Sequence, residues 1–196
     1  NFKNNYKISV IGLGYVGLPL ACELGRKYSV IGVDLNLNRV INLKKKIDIN
    51  QEVTKNELKN AKYLHITNNH KLAKECNVHI VTVPTPLKNK TNIPDLSYLK
   101  KACEMVSKNL KKKDIIIFES TSSPGTSEEF CVPIIEKNSK FKYKKDFFVG
   151  YSPERINPGD KKHSLVNSAK IVSACDSSTL NKIYKIYKSI IKANIF

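Results

Sequence analysis

No stretch of this sequence stays apolar for the roughly 20 residues that a membrane-spanning helix needs. The polar start, Asn1 to Tyr6, lacks the pattern of a secretory signal. Cysteine occurs only at 22, 76, 103, 131 and 175, never in Cys-x-x-Cys spacing. That argues against a zinc or disulfide framework and predicts buried free thiols in a reduced cytoplasm. Acidic residues are scarce, 17 against 34 basic ones, giving a formal net charge of +17. Lysines dominate the excess, in short runs at 44–46, 111–113, 144–145 and 161–162. A nucleic-acid surface is one reading. The runs fall at predicted helix ends and loops, without the arginine and aromatic interleaving that base stacking uses, so a solvated exterior is preferred. Weak, salt-sensitive binding to polyanions would follow from either. An initiator methionine is also missing, which predicts a piece of a longer or processed chain.

What is present suffices for one substantial core: 196 residues, 41% of them apolar. The most informative stretch opens the chain. Residues 8–11 form a short apolar run that reads as a buried strand, and Gly12-x-Gly14-x-x-Gly17 follows at once. Helical spacing then continues through Leu18, Leu20, Ala21 and Leu24. Gly12 permits the tight turn, Gly14 lets backbone approach a pyrophosphate, and Gly17 lets the helix pack closely on the strand. The helix N-terminus would then aim free N–H groups at phosphate. A second strand, Ser29 to Val33, ends at Asp34, about twenty positions past Gly14. A carboxylate there can hydrogen-bond ribose hydroxyls and repels a 2′-phosphate. Strand, glycines, helix, strand and acid in register predict a dinucleotide-binding unit.

Further on, Val40, Ile41 and Leu43 predict a helix over 36–45, with Arg39 on its first turns. Arg39 has two readings, pointing back toward an adenosine moiety or lying on the surface. Residues 46–53 read as a connecting loop, and Thr54-x-x-Glu57 as a capping box. Short strands are predicted over 63–67 and 77–83, with a brief helix or turn over 69–74 between them. The second strand stops at Pro84-Thr85-Pro86, which places Thr85 at the carboxyl edge of the sheet, where a cofactor would pass. His79 reads as a core or sheet-face residue. Asp95 is predicted to cap a helix carrying Leu96, Leu99, Ala102, Cys103, Val106 and Leu110.

A strand over 113–118 leads into the hydroxyl-rich loop 119–126 and a helix over 127–137. Those hydroxyls suit either an anionic ligand or helix capping. Another strand, over 147–150, runs into Tyr151-Ser-Pro-Glu-Arg-Ile-Asn-Pro-Gly-Asp160. On spacing alone Glu154 reads first as the acid of a helix start and second as a general base. A last strand over 169–174 and an amphipathic helix over 177–191 complete the pattern. The fold class predicted is α/β, a Rossmann-type doubly wound, mostly parallel sheet with helices on both faces.

In four of these stretches the sequence resembles the UDP-glucose/GDP-mannose dehydrogenases, most of all the bacterial UDP-N-acetylhexosamine 6-dehydrogenases of surface-polysaccharide synthesis. They are Gly12 to Ala21, Val83-Pro-Thr-Pro86, Glu119-Ser-Thr121 with Pro124-Gly-Thr126 and Glu128-Glu129, and residues 151–160, in the family's order. The resemblance implies oxidation of a sugar C6 alcohol to a carboxylate with two NAD⁺, through a thiohemiacetal and thioester on a cysteine. It implies that Gly12, Gly14, Tyr15, Val16, Gly17, Asp34, Arg39, Thr85 and Thr121 line the NAD site. It also implies that Glu154 is the acid/base of the thioester stage, and that Arg155, Ile156 and Asn157 contact the UDP-sugar. Pro158 stands where UDP-glucose enzymes carry a second glutamate, which points to the N-acetylhexosamine branch.

The family's cysteine sits in a Gly-x-Cys or Gly-His-Cys loop, and no cysteine here has that setting. Residues 1–196 are therefore expected to be a single NAD-binding domain, the N-terminal part of a longer cytoplasmic, homodimeric enzyme. Its dimer helix, catalytic cysteine and lysine, and UDP-binding domain would lie elsewhere. No metal, membrane or specific nucleic-acid partner is expected. Two alternatives carry their own signatures. A β-hydroxyacid-type dehydrogenase would share the NAD domain, but Pro84-Thr-Pro86 and Ser152-Pro-Glu-Arg155 speak against it. A lysine-rich nucleic-acid module on the same scaffold would bind RNA tightly and leave NAD⁺ unbound.

Overall fold

The structure, a computed structural model, describes residues 6–88, 93–153 and 165–196. Its strands are β1 (Lys7–Ile11), β2 (Ser29–Val33), β3 (Leu64–Thr67), β4 (Val78–Val81), β5 (Ile115–Phe118), β6 (Phe148–Tyr151) and β7 (Ser173–Ala174). Its α-helices are α1 (Gly17–Leu24), α2 (Leu37–Lys44), α3 (Lys55–Asn60), α4 (Ser97–Asn109), α5 (Val132–Ser139) and α6 (Ser177–Lys188). The strands form one sheet in the order β3-β2-β1-β4-β5-β6-β7. All neighbours run parallel except β6 and β7. The chain winds outward from β1 to β3, then returns to lay β4 on the other side of β1. That reversal opens a crevice between the carboxyl ends of β1 and β4.

The strands bury both faces, so β5 reads Ile-Ile-Ile-Phe without polar alternation. Its residues still divide by the period of two. Ile115 and Ile117 join Ile8, Val10 and the apolar faces of α1, α2 and α6. Ile116 and Phe118 join Leu99, Val106 and Ile135 of α4 and α5 on the opposite face. Two cores on two faces are what the predicted doubly wound architecture requires. Thr54 and Glu57 form the full capping box that starts α3, and residues 46–53 form the predicted connection.

His79 lies inside the sheet, fully buried. Its Nε2 faces Asp114 Oδ2 at 3.3 Å and its Nδ1 lies 2.8 Å from Ser9 Oγ. A carboxylate only accepts, so Nε2–H donates to Asp114 and Nδ1 accepts from the Ser9 hydroxyl. The three polar groups satisfy one another in the interior, which bears out the core reading of His79.

Four expectations need correction. The strand predicted over 169–174 shrinks to Ser173–Ala174, because Lys170 N and Val172 N donate instead to Asn194 O and Phe196 O. The helix predicted over 127–137 is two pieces, a π-helical stretch Thr126–Cys131 and then α5. Asp95 does not cap α4 from the N-cap position, which is Leu96; it accepts from Ser97 N (2.9 Å) as a turn before the helix. Cys175 is only half-buried, unlike the other four thiols. Among the described residues, no helix is long and apolar enough to cross a membrane.

Candidate functional site

The crevice is built from the turn that follows β1. Gly12 has φ +94°, a conformation that a side chain resists, and its N–H donates to Val33 O at 2.8 Å. A Cβ on Gly17 would stand 1.9 Å from Gly12 O and 2.4 Å from Thr82 Oγ1, so α1 can begin there only as glycine. A Cβ on Gly14, by contrast, would meet nothing within 4 Å. The backbone at Gly14 therefore faces open space at the mouth of the crevice. Among the described residues no side chain caps α1, and its first turn carries no acid. Free N–H groups and the positive end of the helix dipole are left for an anion, and a pyrophosphate fits this cradle.

Two cavities share Val83 and Pro84 as a common wall. One, of about 310 Å³, lies against Asp34, Leu35, Asn36, Tyr98 and Lys101. The other, of about 260 Å³, lies against Gly14, Tyr15, Val16, Thr85, Glu119 and Thr121. A larger cavity of about 420 Å³ sits between loop 122–128 and the β6–β7 edge. It touches none of the residues the sequence assigns to a dinucleotide, and the paired cavities are the better candidate on chemical grounds.

At the Asp34 end, Oδ2 accepts from Leu13 N (2.9 Å) and Oδ1 from Asn36 N (2.9 Å). These bonds fix the carboxylate beside the glycine turn and leave lone pairs for hydroxyl donors. Arg39 follows neither sequence reading simply. Its side chain is 10% exposed, its Nε donates to Leu13 O (3.0 Å), and its NH1 pairs with Asp48 Oδ1 at 2.5 Å. Asp48 drew no attention in the sequence, where it is one of two acids in a mixed polar and apolar loop.

At the other end, Thr85 Oγ1 donates to Thr121 O at 2.5 Å. This bond ties the loop after β4 to the loop after β5 and brings the two predicted threonines together. Tyr15 stands exposed above them and Val16 is buried beneath the turn. Glu119, between β5 and Thr121, is buried. Lys170 Nζ donates to its Oε2 (2.7 Å) and Tyr187 OH to its Oε1, all three groups buried. Sequence reasoning missed this cluster, whose partners come from three separate segments. Glu154, Arg155, Ile156 and Asn157 lie outside the described residues.

Four of the five thiols are poorly disposed to react. Burial pushes Cys22 and Cys76 up to about 12. A hydrogen bond with Cys131, and then burial, raise Cys103, and burial raises Cys175. A thiol held protonated is a poor nucleophile.

Comparison with known proteins identifies relatives of this chain. The chain is 49% identical over 190 residues to UDP-N-acetyl-D-glucosamine 6-dehydrogenase of Salmonella typhi, covering 97% of this chain and 44% of that protein. It is 34% identical over 193 residues to UDP-N-acetyl-D-mannosamine dehydrogenase of Campylobacter jejuni, covering 93% of this chain and 47% of that protein. The solved UDP-N-acetyl-D-mannosamine dehydrogenase of Pyrococcus horikoshii superposes with a TM-score of 0.88 at 32% identity, over 97% of this chain and 46% of that one. The chain thus spans less than half the length of these relatives. Residues 6–191 match the NAD binding domain of the UDP-glucose/GDP-mannose dehydrogenase family, and the chain belongs to that family.

Proposed function

We propose that this chain is the NAD⁺-holding domain, residues 1–196, of a cytoplasmic, homodimeric UDP-N-acetylhexosamine 6-dehydrogenase that serves surface-polysaccharide synthesis. The observation that carries the reading is one crevice holding both an uncapped α1 N-terminus and Asp34, locked by Leu13 N and Asn36 N. Bound NAD⁺ would supply the hydride acceptor for both oxidations. Gly12, Gly14 and Gly17 shape the pyrophosphate cradle, with Tyr15 at its rim and Val16 beneath it. Asp34 reads the ribose, with Arg39 beside it. Thr85 and Thr121 hold the opposite wall. Glu154 is the acid/base of the thioester stage, and Arg155, Ile156 and Asn157 meet the nucleotide sugar.

The relatives' names support the hexosamine branch, as does Pro158. The raised thiols support a catalytic cysteine outside this chain. Alone, the chain should bind NAD⁺ and oxidise no sugar. The test uses the full-length protein with UDP-N-acetylglucosamine, UDP-N-acetylgalactosamine, UDP-N-acetylmannosamine and UDP-glucose. Two NADH per N-acetylated sugar, with little from UDP-glucose, is the expected result. Glu154→Gln should slow turnover by about 10²–10⁴-fold with NAD⁺ affinity retained. NADH formed by the 196-residue chain alone, or preferential use of UDP-glucose, would overturn the reading.

A further inference from the structure

Loop 46–53 is folded around one carboxylate. Asp48 Oδ2 accepts from Glu52 N (2.8 Å) and Val53 N (3.0 Å), and Oδ1 accepts from Asn50 N (3.1 Å). Three backbone donors already solvate this acid, and Arg39 NH1 is a fourth partner. The arginine is the more constrained member of the pair. Its Nε is engaged by Leu13 O and its NH1 by Asp48, and its NH2 is buried with no partner among the described residues. Leu13 is also the residue whose N–H is held by Asp34. The guanidinium and the ribose-reading acid therefore grip opposite ends of one residue in the glycine turn.

In dinucleotide sites an acid at this strand end selects NAD⁺, whereas a nearby arginine accommodates a 2′-phosphate. Here both residue types are present, but only Asp34 lines the cavity; Arg39 does not, and is held by Leu13 O and Asp48. We propose that Asp48 is a specificity-determining positioning residue: by holding and neutralising Arg39, it keeps a phosphate-competent guanidinium from serving NADP⁺ and so enforces NAD⁺. With Asp48 in place the row Asp34, Arg39, Asp48 is net negative. Without its charge the row is neutral, and Arg39 loses its ionic partner while keeping its bond to Leu13 O. Lys101 lines the same cavity from α4 but is exposed, so solvent screens its charge and it does not substitute for Arg39. This inference rests on the NAD⁺ reading above.

The test is calorimetric titration of the 196-residue chain with NAD⁺ and NADP⁺, for wild type, Asp48→Asn, Arg39→Met and the double variant. Asp48→Asn should shift the affinity ratio toward NADP⁺ by about tenfold, the order expected when one nearby, partly buried charge is removed. Added salt should diminish that shift. In the double variant the shift should disappear, because it acts through the guanidinium. Equal weakening of both cofactors in Asp48→Asn would make Asp48 a loop-folding residue only and overturn the proposal. Should Asp48→Asn fail to fold, Arg39→Met decides: because Asp48 already holds the guanidinium out of service, its ratio should stay close to that of the wild type, and a selective loss of NADP⁺ binding overturns the proposal. Failure of the wild type to bind NAD⁺ at all is a separate result, which removes the cofactor reading and this inference with it.

Discussion

Two buried ion pairs stand at the two ends of the crevice, and they are held in different ways. Arg39–Asp48, at the Asp34 end, joins residues 9 apart in sequence, with side chains 10% and 1% exposed. Lys170–Glu119, at the Thr121 end, joins residues 51 apart, with side chains 6% and 0% exposed. Asp48 is wrapped by three backbone N–H groups, so its charge stays solvated whatever Arg39 does. Among the described residues Glu119 has only two side-chain donors, Lys170 and Tyr187. Removing Arg39 leaves Asp48 with three backbone donors, whereas removing Lys170 leaves the buried Glu119 carboxylate with one. The first is thus suited to tuning a ligand preference and the second to fastening β5 to α6 and the β7 edge.

The largest effect should come from breaking the second pair. Lys170→Met leaves the Glu119 carboxylate with Tyr187 alone, at a cost of about 3–5 kcal/mol in denaturant unfolding. Adding Glu119→Gln, which keeps a group for Tyr187 to donate to, should recover much of that loss. Next comes Gly17→Ala, whose new Cβ would collide with backbone at 1.9 Å. About 3 kcal/mol is expected, the upper end for overpacking, with NAD⁺ binding lost as α1 is displaced. Arg39→Met should cost less than Lys170→Met, about 1–3 kcal/mol, because Asp48 keeps its backbone donors. Equal costs in the same unfolding assay would dissolve the contrast between the pairs. Smallest for the fold is Gly14→Ala, within about 0.5 kcal/mol of wild type, since its Cβ enters open space. Its NAD⁺ affinity should nonetheless fall by about tenfold or more, because the methyl occupies the place of closest backbone approach to the pyrophosphate. Unchanged affinity would mean that the cradle is not where the cofactor sits.

The difference between the pairs also marks what the sequence makes legible. Local patterns carried over well. The path from β1 through the glycine turn to Asp34 rests on hydrophobic period and glycine spacing, both local properties. The same holds for the Thr54–Glu57 capping box and for Ile183, Ile186 and Tyr187, which line the buried side of α6, although that helix ends at Lys188, short of the expected 191, and Leu180 on it is exposed. Placement of Thr85 beside Thr121 followed from topology, since both loops leave carboxyl ends of adjacent parallel strands. What stayed hidden was choice of partner. Nothing near Glu119 in sequence announces Lys170 or Tyr187. Asp48 lay in a loop without periodicity, where an acid that organises backbone looks like any solvated one. The π-helical stretch Thr126–Cys131 depends on which carbonyl each N–H selects, and composition does not encode that choice. The short β7 has the same origin, because residues 170–172 pair with the segment 194–196 instead of extending the antiparallel strand.

The central claim is that the Asp34 end of this crevice reads an unphosphorylated adenosine ribose. The most direct test titrates the 196-residue chain with NAD⁺ and NADP⁺ in the calorimeter, then repeats both titrations with Asp34→Ala. Saturable NAD⁺ binding, weaker NADP⁺ binding, and a loss in Asp34→Ala that falls more heavily on NAD⁺ are the results expected. Equal or tighter binding of NADP⁺ by the wild-type chain would contradict the account.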